Sequence, residues 1–162
     1  MTVLPYDIGT ATTEEILPLR MSVLRDGTPS RDPRYAEDDD ATSVHLVARD
    51  PNGTIVATSS WLPRPFPPEP DAPGVQLRGM AVDKTLQSKG VGALLLAVGI
   101  ERARGLGAHN VWARARDSAL VFYERNGMTV VGDAFTDDAT GMSHHLVVLR
   151  LAVSNSEVSG TT

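Results

Sequence analysis

The chain has 162 residues, of which 41% are hydrophobic and 22% charged, so one globular domain fits and a mainly disordered chain is excluded. It contains no cysteine, which excludes disulfide scaffolds, thiolate metal sites and cysteine nucleophiles. The net charge of −5 argues against nonspecific nucleic-acid binding, and the longest apolar run, Val91 to Ile100, is too short to cross a membrane. Residues 1–7 lack the basic and apolar pattern of a secretory signal, so a cytoplasmic location is expected.

Charge is unevenly distributed along the sequence. Residues 75–125 contain eight bases and four acids, whereas acids outnumber bases on both sides of that segment. A basic middle segment can hold a small anion, while acidic flanks such as the run at 37–40 favour a cationic partner. The same counts are also compatible with scattered surface charge.

The element boundaries are marked by caps and turn residues. Thr12 and Thr13, followed by Glu14 and Glu15, are typical of a helix start, and the sequence at 50–53 indicates a hairpin turn. The predicted elements, in chain order, are an edge strand at 3–8, a helix from Thr12 to Gly27, a loop at 28–42, a hairpin of strands at 43–49 and 54–61, a strand at 75–83, a helix from 91 to about 104, a strand at 110–115, a helix at 117–126 capped by Asp117, and strands at 128–132 and 143–151.

Six prolines lie between residues 62 and 74, so regular helix and a central strand are excluded there. The segment is predicted to be a surface excursion between two strands, because neither side is long enough for a separate core. The order of elements predicts one α/β (α+β) domain over residues 1–151, with a mixed, mostly antiparallel sheet of about six to seven strands flanked by helices. Residues 152–162 are predicted to form a flexible tail.

The segment from Met80 to Leu96 carries the most specific chemical signal. A strand ends there, a tight turn follows, and a helix opens at Gly90 and Gly92. Exposed N–H groups and the helix dipole suit a phosphate, and Lys89 adds positive charge. The P-loop ending and the third glycine of a dinucleotide fingerprint are both missing. An unrelated nucleotide-phosphate site and a plain strand–helix turn both remain alternatives at this point.

Two ordered motifs resemble the GNAT superfamily of N-acyltransferases. Gln87-x-x-Gly90-x-Gly92 is similar to its acetyl-CoA-binding motif, and the segment 117–128 is similar to its A–x–x–F–Y–x–x–x–G–F segment, with Met128 in place of phenylalanine. The resemblance extends over residues 3–151 and favours a bacterial branch of the superfamily. It implies a sheet splayed between its fourth and fifth strands and acetyl-CoA as the co-substrate.

The resemblance also implies which residues hold acetyl-CoA. Backbone groups of the strand before the turn would pair with the pantetheine arm, the turn and helix start would hold the pyrophosphate, and part of the 117–128 segment would line the other side of the arm. These three sets are Met80, Ala81 and Val82; Gln87, Ser88, Lys89, Gly90, Val91, Gly92 and Ala93; and Asp117, Ala119 and Phe122.

Tyr123 is the residue that the resemblance implies as general acid, donating a proton to the departing thiolate. A phenol with an ordinary pKa of about 10 is protonated at neutral pH and suits that role. The alternative is an amphipathic core tyrosine beside Phe122. The motif favours the role as general acid over the role in core packing.

The general base is less clearly marked. Family members often carry a glutamate on the strand matching residues 75–82, and this sequence has no carboxylate there. His45 is the candidate base, although a hydrogen-bonded strand histidine is the alternative; the acids 37–40, His144 and His145 are further candidates. Adjacent strand residues point to opposite faces, so only one of the last two histidines could face the site. No metal site is expected, because two neighbouring imidazoles without partner acids are poorly spaced as ligands.

The sequence therefore predicts an N-acetyltransferase that moves an acetyl group from acetyl-CoA to a primary amine, carried by a small molecule or a peptide. The missing strand carboxylate keeps a second hypothesis open, in which the same fold is a non-catalytic acyl-CoA sensor. No nucleic-acid or membrane partner is expected, and homodimerisation is left open.

Overall fold

The computed structural model describes residues 5–152. Seven strands form one sheet in the order β1-β2-β3-β4-β5-β7-β6, and three α-helices pack on it. The elements are β1 (Asp7–Ala11), α1 (Thr13–Leu24), β2 (Val44–Arg49), β3 (Ile55–Pro63), β4 (Gly74–Val82), α2 (Val91–Gly105), β5 (Asn110–Arg116), α3 (Leu120–Arg125), β6 (Thr129–Thr136) and β7 (Ser143–Arg150).

Among the described residues, β4 and β5 form the only parallel pair, so the sheet is mixed and mostly antiparallel as predicted. β1 is an edge strand, also as predicted, but it lies at Asp7–Ala11 rather than at 3–8. Residues 3 and 4 and the predicted tail from residue 153 onward lie outside the described residues. The proline-rich segment connects β3 to β4 inside one sheet.

The two longer helices cover opposite faces of the sheet. α1 begins with a capping box, in which the Thr12 hydroxyl accepts from the Glu15 N–H and the Glu15 carboxylate accepts from the Thr12 N–H at 3.0 Å. Side chains alternate along β3, so Ser60 faces α1, where it contacts Arg20, while Trp61 faces α2. The α2 side holds the main apolar core, and the α1 side carries buried polar groups.

The predicted helix at 117–126 is shorter and begins differently. Residues Asp117–Ala119 form a 3₁₀ turn, and the α-helix proper begins at Leu120. Asp117 does not cap it, because its carboxylate accepts from Nδ1 of His145 at 2.7 Å instead. β6 also continues beyond the predicted stop at Gly132, since the strand passes through an irregularity there and pairs again with β7 at Phe135.

Candidate functional site

The central strands separate partway along their length. β4 and β5 pair from Gly74↔Asn110 to Leu77↔Ala113, and beyond that point no pairing joins them although β4 continues to Val82 and β5 to Arg116. The predicted splay between the fourth and fifth strands is therefore confirmed. Beyond Leu77, the edge of β4 that faces β5 offers backbone N–H and C=O groups that lack a strand partner.

A β-bulge at Gly79 shapes this free edge. Pairing of β4 with β3 shifts between Ser60↔Arg78 and Thr58↔Ala81, which leaves Gly79 and Met80 opposite a single residue. Gly79 has φ of 61°, and a Cβ there would lie 2.9 Å from Nε of Arg20 and 3.1 Å from the Tyr35 ring. Both the backbone conformation and the packing therefore require glycine.

A cavity of about 570 Å³ opens at the splay. Its walls come from the diverging strands, the end of α1 with the following loop, the turn between β4 and α2, the 3₁₀ turn with α3, and the loop before β7. The lining residues are Val23, Leu24, Arg25, Ser30, Asp32, Arg34, Tyr35, Gln76, Leu77, Arg78, Gly79, Met80, Gln87, Ala113, Arg114, Ala115, Arg116, Ser118, Ala119, Tyr123, Asp137, Ala139, Thr140 and His144.

The turn between β4 and α2, residues 83–90, is called the glycine turn. It borders one end of this cavity through Gln87, whose side-chain amide donates to the Val82 carbonyl at 3.1 Å. Gly90, with φ of 93°, precedes α2, and no side chain caps that helix. The N–H groups of its first turn thus lack intrahelical acceptors and point toward the turn. Lys89 is exposed beside them. This end of the site has the groups that bind a phosphate.

The predicted cofactor residues are partly brought together. Met80 and Ala119 line the cavity with Gln87, while Phe122 packs against Gly92, with 3.5 Å from its ring to the position of a Cβ on that glycine. The Asp117 carboxylate binds His145, which holds the pKa of that carboxyl below its usual range. The remaining turn residues, Ser88 to Ala93, surround the helix start rather than the cavity.

Tyr123 lines the cavity and is 6% exposed. Its ring packs edge-on against Phe122, with 5.2 Å between centroids. Burial raises the pKa of the Tyr123 phenol well above its usual range. The hydroxyl is therefore protonated throughout the neutral and mildly alkaline range, and it can act as a donor toward a group in the cavity.

His45 does not line the cavity. Its Nε2 donates to the Asp38 carbonyl at 3.0 Å, and its Nδ1 accepts from the Ser60 hydroxyl at 2.6 Å. Both ring nitrogens are therefore occupied, and the interpretation of His45 as a base is not supported by its position. Burial, and then the charge of Arg20, lower the pKa of His45, so the ring is neutral in the folded protein.

Because of His45, the free energy of unfolding should decrease as pH falls through about 6.5, the pKa of a histidine in the unfolded chain. Its pKa is lower in the folded than in the unfolded chain, where it lies near 6.5. Below that value the unfolded chain binds a proton that the folded chain does not, so stability is complete above it and is lost as pH falls, by at most about 1.4 kcal/mol per pH unit.

Urea unfolding at several pH values measures this dependence in the wild type, in His45→Asn and in His109→Asn, whose histidine is exposed. The pH slope should flatten only in His45→Asn. Contributions from all other groups are common to the three proteins and cancel in the comparison. An equal slope in the wild type and His45→Asn would contradict the assignment.

His144 faces the cavity, whereas His145 points to the opposite side of β7. His144 is 6% exposed, stacks on Phe135 with 5.8 Å between centroids, and binds the Met142 carbonyl through Nδ1 at 2.9 Å. Because a carbonyl only accepts, Nδ1 is the donor, and Nε2 of the neutral ring keeps a free lone pair. Of the histidine candidates, His144 is the one that the structure places beside the cavity.

The acidic run at 37–40 does not line the cavity either. Glu37 binds Arg64 at 2.9 Å and Arg78 at 2.6 Å, and Asp38 binds Arg20 at 2.7 Å. Glu37 and Asp38 are therefore neutralised by internal partners, so these two carboxylates give no support to a cationic acceptor. Tyr35 and Arg116 also line the cavity, and neither was predicted from the sequence. The alternation of Arg114 and Arg116 at the end of a strand was the signal that could have indicated Arg116.

Within residues 5–152, no group of three or more His, Asp or Glu side chains is arranged to hold a metal ion. No helix in that range has the length and apolar character needed to span a membrane.

Comparison with known proteins gives consistent matches. The sequence model described as the acetyltransferase (GNAT) family matches residues 13–128. The uncharacterized N-acetyltransferase YitI of Bacillus subtilis (strain 168) is 27% identical over 145 residues, which cover 89% of this chain and 95% of the relative.

Solved structures share the fold at low sequence identity. A putative N-acetyltransferase from Lactobacillus plantarum superposes with a TM-score of 0.77 at 18% identity, covering 92% of this chain and 100% of the other. Arabidopsis thaliana NAA60, solved in complex with a bisubstrate analogue, gives 0.71 at 15% identity, covering 92% and 99%.

Proposed function

Because the chain belongs to the acetyltransferase (GNAT) family and is an acyltransferase enzyme, we propose that it transfers an acetyl group from acetyl-CoA to a primary amine by direct attack. The observation that carries this proposal is the splay between β4 and β5, which opens into one cavity that reaches from the glycine turn to the Tyr123 side chain. A slot of this shape fits a linear thioester with a phosphate at one end.

In this proposal, the pantetheine arm lies along β4 as an additional strand. Its two amides can pair with the backbone of Met80, Ala81 and Val82, on the edge of β4 beyond the point where its pairing with β5 ends. The bulge at Gly79 turns the backbone beside the thioester, so that a β4 N–H group can donate to the carbonyl oxygen. Ala119 and Phe122 supply the apolar wall on the α3 side.

The pyrophosphate would lie at the start of α2, where uncapped N–H groups meet Lys89. Lys89→Ala should weaken CoA binding about 3- to 10-fold, more at low salt, because one exposed cation near a phosphate contributes modestly.

Lys84→Ala is the matched control for this change, since the chain's other lysine lies five residues earlier and binds Asp26. Isothermal titration with CoA at two salt concentrations measures both affinities. An equal loss of affinity in the two variants would contradict the placement.

The chemistry assigned to the site is one addition and one elimination. The amine nitrogen bonds to the carbonyl carbon, the C–S bond breaks, and the sulfur leaves as a thiol. The proton lost by the amine passes to Nε2 of His144, and Tyr123 donates to the sulfur as negative charge develops there. Solvent then takes up the proton from His144 and restores the proton of the Tyr123 phenol. No covalent enzyme intermediate is required, because both substrates lie in one cavity.

Calorimetry with CoA and ATP, followed by a thiol-release assay with acetyl-CoA and a panel of amines, tests the proposal. We expect CoA to bind much more tightly than ATP, since only CoA has the pantetheine arm that pairs with β4, and we expect an amine to accelerate thiol release. Equal affinity for CoA and ATP would show that the pantetheine arm does not bind along β4, and it would contradict the proposal.

A further inference from the structure

The cavity is lined by more positive than negative side chains. Five arginines and two aspartates contribute to its walls. Three of the arginines are neutralised within the fold, because Arg34 binds Glu14, Arg78 binds Glu37 and Arg114 binds Asp137. The other two, Arg25 and Arg116, form the arginine pair. Neither has a carboxylate within 4.0 Å among residues 5–152.

Arg25 is 5% exposed, although it carries a charge. It ends α1, its Nε donates to the Asp32 carbonyl at 3.0 Å, and its guanidinium lies 5.8 Å from the centre of the Tyr35 ring. These contacts with the Asp32 carbonyl and the Tyr35 ring replace only part of the hydration that the buried guanidinium loses. The remaining guanidinium N–H groups are free to donate to a ligand in the cavity that Arg25 lines.

Arg116 ends β5 and is half-buried, and it donates to the Leu24 carbonyl, one residue before Arg25. Burial, and then the charge of Arg25, act to lower the pKa of Arg116. Two like charges held together in a partly desolvated wall repel each other. An anion bound between the two guanidinium groups would offset this repulsion, so this part of the cavity is suited to a negative ligand.

The cavity's own carboxylates do not supply that anion. Asp137 accepts from the Thr140 N–H at 3.1 Å and its hydroxyl at 3.0 Å, and it binds Arg114. Asp32 is exposed, and its carboxylate accepts from the Arg34 N–H at 3.0 Å. Asp137 therefore acts on Arg116 through its charge but makes its hydrogen bonds elsewhere, so guanidinium N–H groups of the arginine pair remain for a molecule that enters the cavity.

The position of the pair relates it to the reaction. Arg116 lies directly opposite His144 in the β5–β7 pairing, and the proposed proton acceptor and Tyr123 line the same cavity. The pair belongs to the α1 side of the sheet, while the glycine turn that would hold the CoA phosphates leads into α2. Although Lys84 of that turn binds Asp26 next to Arg25, Arg116 shares its face of the sheet with His144, so we assign an anionic group on the pair to the acceptor, whose amine must reach His144, and not to CoA.

From this geometry we infer that the acceptor is a small amine that also carries a carboxylate, which the arginine pair binds while the amine reaches the thioester. This inference rests on the proposed acetyl transfer and names its substrate class. The guanidinium fork matches a carboxylate in a bidentate manner. In the reaction the new C–N bond replaces the C–S bond, the acceptor nitrogen loses one proton and the sulfur gains one, while the carboxylate is unchanged.

The first experiment compares matched acceptors in the thiol-release assay. The panel contains amino acids, their primary amides and the corresponding decarboxylated amines, with polyamines as cationic acceptors and phosphoethanolamine to separate phosphate from carboxylate. We expect the best acceptor to carry a carboxylate, and its amide to have a kcat/KM about 10- to 100-fold lower. Equal or better use of amides, polyamines or phosphoethanolamine would overturn the inference.

The second experiment uses variants. Arg116→Gln should raise the KM for the carboxylate acceptor about 10- to 100-fold and leave the KM for acetyl-CoA within about twofold. Arg114→Gln is the matched control, because this arginine lines the same cavity but is already bound to Asp137, and its acceptor KM should change less than about twofold. A similar rise in both variants would indicate a general field effect and not a carboxylate subsite.

A binding measurement separates this inference from the proposed function. Sodium malonate should raise the melting temperature of the wild type more than sodium chloride at equal ionic strength, and the difference should disappear in Arg116→Gln but persist in Lys89→Ala. The absence of a malonate effect in the wild type would overturn the inference even if amines are acetylated. If acetyl-CoA is neither bound nor consumed, the proposed function fails, and the malonate result still decides whether the pair binds a carboxylate.

Discussion

Tyr123→Phe should lower kcat by about 10²- to 10⁴-fold while the affinity for acetyl-CoA changes by less than about twofold. The substitution removes one hydroxyl and keeps the ring, whose edge packs on Phe122 at 5.2 Å between centroids. The lost donor acts only when the C–S bond breaks and charge appears on the sulfur, so binding of the ground state should be nearly unaffected. Steady-state kinetics and calorimetry with acetyl-CoA measure the two quantities separately.

The pH profile gives a second test of the same role. Because burial raises the pKa of Tyr123, its deprotonation should produce no loss of rate up to about pH 9 in the wild type. Tyr6→Phe, which alters a phenol outside the cavity lining, is the control. An unchanged kcat in Tyr123→Phe would show that the phenol is only a packing residue.

Local signals in the sequence were sufficient for most elements of the fold. The Thr12 cap with Glu15 three residues later, and the glycines of the turn before α2, act within a few residues and can be read directly. The splay could be predicted only through the resemblance, because the point where β4 and β5 separate depends on pairing between residues about 36 positions apart.

The polar part of the site could not be predicted in this way, because its contacts join distant segments. Arg116 meets the end of α1 across 92 positions, and Asp117 binds His145 across 28. The sequence near Asp117 resembles a helix cap, and only the approach of β7 shows the other partner. The partners of Glu37 and Asp38 could not be predicted for the same reason, because the arginines that neutralise them lie on α1, β4 and the loop after β3.

Arg20→Met should reduce the free energy of unfolding by about 3–5 kcal/mol, because it leaves Asp38 charged and without its partner in a buried site. Arg20 is 1% exposed and donates to both carboxylate oxygens of Asp38, at 2.7 and 2.8 Å, and to the Ser60 hydroxyl at 2.7 Å. Burial acts to raise the pKa of Asp38, but the hydrogen bonds and charge of Arg20 outweigh it and hold the pKa below its usual value. Urea unfolding at neutral pH measures the loss.

Two further variants separate the buried pair from ordinary ion pairing. Arg34→Met breaks an exposed pair, whose side chains are 49% and 75% exposed, and should cost less than about 1 kcal/mol. The double variant Arg20→Met with Asp38→Leu should recover much of the single-variant loss, since no buried charge then remains uncompensated. A double variant at least as unstable as Arg20→Met alone would contradict this explanation.

The Arg20–Asp38 ion pair also holds the loop that carries Tyr35, a residue that lines the cavity. Asp38 accepts from the Tyr35 N–H at 2.8 Å, and the Tyr35 ring lies 4.3 Å from the Arg20 guanidinium carbon and 4.1 Å from that of Arg78. Loss of the pair should therefore release the loop that carries Tyr35 and raise the acceptor KM even at temperatures where Arg20→Met is fully folded. Because Tyr35 is not among the residues assigned to acetyl-CoA, the KM for acetyl-CoA should stay within about twofold, and a parallel rise in both KM values would indicate global unfolding instead.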